Sequence, residues 1–223
     1  IISPKGALLT GSPRRTGKNR TTAKLWNSLH VVSSDARITA TYDKFHLVPF
    51  GEYVPFRGYL DTFASLANIT GGRTDFSSGP GQRTISVPGA PPVSPLICYE
   101  VIFSGGAVSA GKKDTPQPEW LLNITNDAWF GVSTGPYQHL AAAQLRAVEE
   151  GLPLVRVANT GISAVIDGFG RIYTASNLNE RTYIDSPLPR PLMTPTIFSK
   201  IRVAGIFPLI FLIFILSRFR CFV

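Results

Sequence analysis

The chain has 223 residues, 44% of them hydrophobic, which is enough for one sizeable core and favours one compact domain over two. A net charge of +8 and a pI near 9.8 suit contact with a phosphate surface. The basic residues are scattered or gathered near the ends (Arg14, Arg15, Lys18, Arg20; Lys200, Arg202, Arg218, Arg220), with no dense basic helix or aromatic RNA-binding pattern, so anionic headgroups are the expected partner and nucleic acid is not.

The chain begins Ile-Ile-Ser-Pro, without Met or the features of a secretory signal, and reads as part of a longer protein. Ala7 to Gly11 predicts a short buried strand closed by a glycine turn, followed by a basic polar stretch to Lys24. Leu29–Val32 and Ile38–Tyr42 predict a hairpin. From Asp43 to Pro55 two prolines break any regular element, which leaves a shaped loop holding Lys44, His46 and Glu52. A short helix is expected over Asp61–Ala67 and a short strand over Arg83–Val87. Two apolar strands follow, Val93–Cys98 and Trp120–Ile124, and both turn polar at their C-terminal ends, where sites form in layered α/β proteins.

Gln138–Glu150 has Ala and Leu at helical spacing and stops at Gly151, with Pro153 just beyond. Leu154–Val157 and Ser163–Ile166 predict strands around an Asn159-Thr160-Gly161 turn. Val203 to Leu216 is uncharged for about 14 residues, short of the roughly 17 to 25 of a spanning helix. Its flanks, Lys200 and Arg202 before and Arg218 and Arg220 after, extend it to about 20 by snorkelling, so a C-terminal transmembrane helix is expected.

The two cysteines, Cys98 and Cys221, exclude a disulfide framework. A cysteine in an apolar strand is by default a small core residue. Cys98, however, is followed at once by Tyr99-Glu100, so the chain turns polar at the thiol. A thiolate nucleophile needs a proton acceptor and a group to hold an oxyanion. His30, His46 and His139 fall into no Cys-His-Asn order and no metal-ligand spacing, so neither a metal nor another cofactor is expected. Lys44 lies at a strand exit among Tyr42, Phe45, Leu47 and Phe50, a setting that strips water from an amine.

The run YDKFHLVPFGEYVP, Tyr42 to Pro55, resembles the lysine motif of the bacterial apolipoprotein N-acyltransferases, a membrane-embedded branch of the nitrilase superfamily of carbon-nitrogen hydrolases. Leu96–Glu100 resembles the nucleophile motif of the same family, and Asn123–Gly131 and Asn159–Ser163 resemble two more. The resemblance implies a four-layer α-β-β-α sandwich over residues 1–196, with residues 197–223 forming the transmembrane helix and a cytoplasmic tail. It implies a monomer on the periplasmic side of the bacterial inner membrane, with Arg218 and Arg220 facing the cytoplasm as the positive-inside rule requires.

The implied reaction moves an acyl group from a phospholipid to Cys98 as a thioester, then to the N-terminal amine of a diacylglyceryl-cysteine apolipoprotein. Lys44 and the backbone N–H of Tyr99 would steady the oxyanion, Glu52 and Glu100 would orient Lys44 or shuttle protons, and Trp129, Phe130, Tyr137 and His46 would meet substrate. The superfamily's general-base glutamate precedes the lysine, whereas the only acids before Lys44 are Asp35 and Asp43. That glutamate is expected upstream of Ile1, and the isolated chain is expected to be inactive. The family's arginine before the proline is replaced by Leu152, which leaves Arg156 as the retained structural arginine with its partner open. The rival readings are a soluble-type amidase with the same chemistry on a small carbon–nitrogen substrate and a non-catalytic remnant.

Overall fold

Three antiparallel strands open the chain: β1 (Ala7–Thr16), β2 (Lys24–Ser33) and β3 (Ile38–Asp43), in the order β1-β2-β3. The computed structural model describes residues 2–17, 23–56, 75–109 and 116–205, with 208, 215 and 217. β1 does not end at Gly11, as its turn chemistry suggests, but runs on to Thr16 opposite Lys24. It is an edge strand, paired on one side only, and so tolerates Pro13. Gly11 serves another purpose: a Cβ there would stand 3.0 Å from the Ile124 Cδ1 of the facing sheet.

The second sheet has the order β4-β5-β6-β7-β8-β9: β4 (Ile85–Val87), β5 (Ala90–Ile97), β6 (Trp120–Asn126), β7 (Leu154–Asn159), β8 (Ala164–Ile166) and β9 (Ile172–Ala175). β5, β6 and β7 are parallel, and the outer pairs are antiparallel. The hairpin β2–β3 and the strands β4 to β8 stand where the sequence puts them, with ends shifted by a few residues. β9 has no sequence signal beyond the turn before it, being short and largely exposed.

One apolar core lies between the sheets, where Leu29, Val31 and Tyr42 meet Ile85, Val93, Ile97, Trp120 and Leu122. The other lies behind the second sheet, under helix α1 (Gly135–Glu150). The buried positions of α1 are Pro136, His139, Leu140, Ala143, Arg146, Ala147 and Glu150, a stripe at helical spacing in which three members are ionisable. Gly151 ends the helix in the left-handed conformation. These elements make three layers, sheet, sheet and helix; the helical layer expected outside β1–β3 has no counterpart among the described residues.

Beyond a long irregular segment, α2 (Ile197–Ile201) and a 3-10 turn (Arg202–Gly205) return to the domain. Arg202 donates to the carbonyls of Gly105 and Val108 at 2.8 and 2.9 Å. No helix among the described residues is long and apolar enough to cross a membrane. The span expected over Val203–Leu216 falls mostly outside the described residues, and the helix expected over Asp61–Ala67 does so entirely.

Candidate active site

The parallel strands β5, β6 and β7 end side by side, and their C-terminal ends form the floor of a cleft of about 1860 Å³. Cys98 sits where β5 turns into a 3-10 helix, Cys98–Ile102. Its φ of 53° is unusual for a residue with a Cβ, and this sharp strand-to-helix turn lifts the half-buried thiol to the cleft. Lys44, Glu52 and Tyr99 line the same cleft.

Lys44 is only 1% exposed. Its ammonium donates to Glu52 Oε2 at 2.7 Å. Glu52 is fixed in turn: the Asn27 side chain donates to its Oε1 at 3.0 Å and the Val48 amide to its Oε2 at 2.8 Å. The backbone on either side of Lys44 is tied down by Lys44 N to Asn27 O and by Gly79 N to Lys44 O, both 2.8 Å. Gly79 allows this close approach, because a Cβ there would stand 2.1 Å from the Asp43 carbonyl oxygen.

The Glu100 carboxylate accepts from three backbone amides: Phe45 at 2.7 Å and His46 at 3.1 Å on Oε1, and Ile97 at 2.8 Å on Oε2. The Tyr42 hydroxyl adds contacts of 3.0 and 3.1 Å. Glu100 thereby ties the loop after Lys44 to the residue before Cys98. Burial pushes its carboxyl above the ordinary range, and the three amides and Tyr42 offset that only in part.

The expected substrate contacts divide. Trp129 and Phe130 line the cleft, Trp129 with 77% of its surface exposed. Tyr137 and His46 are not among the residues lining it: Tyr137 is exposed on α1, and the His46 ring stacks on Phe103 at 4.5 Å between centroids. Of the two acids before Lys44, Asp35 pairs with Ser33 and Arg37, while Asp43 pairs with Arg14 at 2.6 Å and Ser28 at 2.6 Å.

Beneath the floor lies a set of side chains that sequence reasoning left unconnected. Arg156, 1% exposed, donates to Asp127 Oδ2 at 2.6 Å, to the Ile162 carbonyl at 3.2 Å and to Asn123 Oδ1. This supplies the partner that the sequence left open. Asn123 donates to the Leu96 carbonyl at 3.1 Å, and His139 reaches both Asp127 and Cys98. The available signal was His139 standing in the apolar stripe of α1, at a position where a core residue is expected.

Asp43, Asp127 and Asp167 share one electrostatic pattern. Burial pushes each carboxyl up, but hydrogen bonds and arginine charges, from Arg14, Arg156 and Arg171 respectively, outweigh it and hold all three below the ordinary carboxylate range. A carboxyl lowered by folding contributes stability above its unfolded value of about 3.9, and that stability is lost as pH falls through the folded value. Asp43→Asn is therefore expected to destabilise the protein by about 1 to 2 kcal/mol at pH 7. Denaturant unfolding of both proteins across pH should show this difference shrinking below about pH 4.

A model of the carbon-nitrogen hydrolase family matches residues 6–198. The chain belongs to that family. Within the carbon-nitrogen hydrolases it is similar to curated proteins named apolipoprotein N-acyltransferase. That of Rhodopseudomonas palustris is 45% identical over 205 residues, covering 90% of this chain and 37% of the relative. That of Rickettsia prowazekii is 38% identical over 216 residues, covering 96% and 42%. The chain thus spans about two fifths of the length of the curated relatives it matches.

Among solved structures, the carbon-nitrogen hydrolase from Helicobacter pylori G27 gives a TM-score of 0.56 at 15% identity, covering 79% of this chain and 60% of that one. An amidase mutant from Nesterenkonia sp. AN1, with the acetamide moiety of fluoroacetamide added covalently at its active-site cysteine, gives 0.51 at 20% identity, covering 78% and 57%. At these identities the likeness establishes the shared α/β fold of the family.

Proposed function

We propose that this chain carries the acyl-transfer chemistry of a lipoprotein N-acyltransferase. The observation that carries the reading is the cysteine at a positive-φ strand end sharing one cleft with a buried lysine–glutamate pair. The Cys98 thiolate attacks the carbonyl of a phospholipid ester, and Lys44 and the Tyr99 amide steady the tetrahedral oxyanion. The C–O bond breaks, the departing alkoxide takes the proton that the general base had drawn from the Cys98 thiol, and the acyl group stays on sulfur as a thioester. The free N-terminal amine of a diacylglyceryl-cysteine apolipoprotein then attacks and gives its proton to the same base, forming the amide and returning the thiolate.

Two features favour a lipid acyl donor over a small amide. The cleft is well above the roughly 300 to 1,000 Å³ of an ordinary small-molecule site. Its lining includes the exposed aromatic residues Phe50, Trp129 and Phe130, which suit an acyl chain arriving from a bilayer. Glu52 orients Lys44 in this scheme. Residues 1–196 form the catalytic domain, a four-layer sandwich that works as a monomer on the periplasmic side of the inner membrane, and residues 197–223 its membrane anchor. Asp35 and Asp43 are both engaged in ion pairs, so we assign neither as general base.

The test is to incubate membranes holding the intact protein with labelled phospholipid and to look for a hydroxylamine-sensitive acyl adduct. The adduct is expected with Cys98 and absent in Cys98→Ser. Undiminished hydroxylamine-sensitive label in the mutant would assign the nucleophile elsewhere, and label from a small amide but not from phospholipid would make the protein an amidase.

A further inference from the structure

The lining of the cleft changes character from one side of Cys98 to the other. On the lysine-loop side it is apolar, with Val48, Phe50, Tyr53 and Phe76, and Ile102 lies just beyond the cysteine. On the β7 side it is polar: Asn126, Asn159, Thr160, Asn179, Arg181 and Thr182. An ester held over Cys98 would leave its hydrocarbon chain to the first side and its polar portion to the second.

The strand register fixes where the polar side lies. Ile97 stands opposite Ile124, and Asn126 opposite Asn159, so the floor runs from Cys98 past the end of β6 to the end of β7. Two strand spacings make that about 10 Å. Beyond β7 the Asn179 amide donates to the Thr160 carbonyl at 3.1 Å, which brings the segment after β9 to the rim. Arg181 is two residues past that anchor. Between it and Cys98 lies Asn126, whose Oδ1 accepts from the Asn159 side chain and the Ala128 amide, both at 3.1 Å. Its NH₂ group has no partner among the described residues.

The other ionisable side chains of the lining are placed elsewhere or already engaged. Lys44 and Glu52 pair with each other at 2.7 Å, and Asp75 lies on the lysine-loop side beside Phe76. His139 contacts Asp127 beneath the floor. Glu180 is next to Arg181 in the chain but turns back on Asn177, accepting from its amide at 2.7 Å and its side chain at 3.0 Å. Arg181 itself is exposed and has no ion-pair partner among the described residues. The polar side of the cleft thus presents one unpaired guanidinium.

We propose that Arg181 is a specificity-determining residue that binds the phosphodiester of the acyl donor while the donor's ester carbonyl lies over Cys98. The inference deepens the acyltransferase reading and rests on it. A guanidinium presents a planar fork of N–H donors that matches two phosphate oxygens at once. In a glycerophospholipid only the glycerol backbone separates ester from phosphate, and the long arginine side chain reaches back over the floor to meet it. The Asn126 amide, lying between, supplies a further donor. A neutral diglyceride has the same ester and chains but offers Arg181 nothing to hold, so the residue selects for the phosphate.

The test measures binding and does not pass through acyl transfer. In the intact protein with every other cysteine replaced, Cys98 is alkylated by iodoacetamide in the presence of an ether-linked phosphatidylglycerol, which cannot acylate a thiol. The half-protecting concentration is compared with that of the ether-linked diglyceride of the same chains. In Arg181→Gln the value for the phospholipid is expected to rise about tenfold, the usual cost of one charge-assisted contact, while that for the diglyceride stays put. Arg181→Lys, which keeps the charge and loses the fork, is expected to fall between. No protection of the native protein by the phospholipid overturns the proposal, as does an unchanged value in Arg181→Gln or an equal rise for both lipids. So does a loss confined to a diacylglyceryl-cysteine peptide, which would give Arg181 to the acceptor. Arg181-dependent protection in a protein that forms no acyl adduct from phospholipid would remove the acyltransferase reading and leave this phosphate contact standing.

Discussion

Lys44→Met is expected to lower acyl transfer by about two to three orders of magnitude, the usual cost of losing one preorganised oxyanion donor. Methionine matches the length of the lysine stem, so packing around this 1%-exposed position should survive. What disappears is the charge. Glu52 then has no cation, yet it keeps the Asn27 amide and the Val48 N–H, so the loop retains an anchor that does not depend on Lys44. The defect should therefore lie in kcat for thioester formation and not in phospholipid binding. Single-turnover labelling with phospholipid in excess separates the two. A variant keeping more than about a tenth of the native single-turnover rate would show that Lys44 is a structural ion-pair partner.

Much of this arrangement was legible in the sequence because local chemistry and tertiary placement agree there. Cys98 stands at a strand end followed by polar residues, and that is where β5 ends. Lys44 and Glu52 lie eight positions apart in a loop that two prolines keep irregular, so the ion pair between them closes over a short distance. Other features depend on contacts that no local pattern encodes. Glu100 follows the nucleophile closely, and its partners are three backbone amides, which carry no sequence signature, and the distant Tyr42 hydroxyl.

The network of Asn123, Asp127, His139 and Arg156 is drawn from two parallel strands, a turn and a helix. The β5-β6-β7 register sets Asn123 beside Arg156, and α1 lowers His139 onto them. Asn123 and Asp127 read as motif residues, Arg156 as a structural arginine and His139 as an unpaired histidine. Only the crossover through α1 makes them one unit. β1 shows the opposite case, in which Gly11 signals a break that full-length pairing with β2 overrides.

Glu100→Ala is expected to destabilise the protein by about 3 to 5 kcal/mol, because it strands three buried or half-buried amides at about 1 to 3 kcal/mol each, partly relieved by water. For a protein of this size that corresponds to a fall of about 10 °C in melting temperature. The more telling variant is Glu100→Gln. The native carboxylate divides its work, with Oε1 on the amides of Phe45 and His46 and Oε2 on that of Ile97. Glutamine has one acceptor oxygen and an NH₂ group, so it can hold the lysine loop or the cysteine turn, but must set a donor against the other. Its stability should fall between those of the native protein and the alanine variant. Its acyl-transfer rate should instead lie close to alanine's, since either choice releases one of the two reacting groups from the other, and an ångström of misplacement costs about a hundredfold. If the rate of Glu100→Gln tracks its stability, Glu100 only supports the fold. If the rate collapses while much of the stability remains, the carboxylate sets the distance between Lys44 and Cys98.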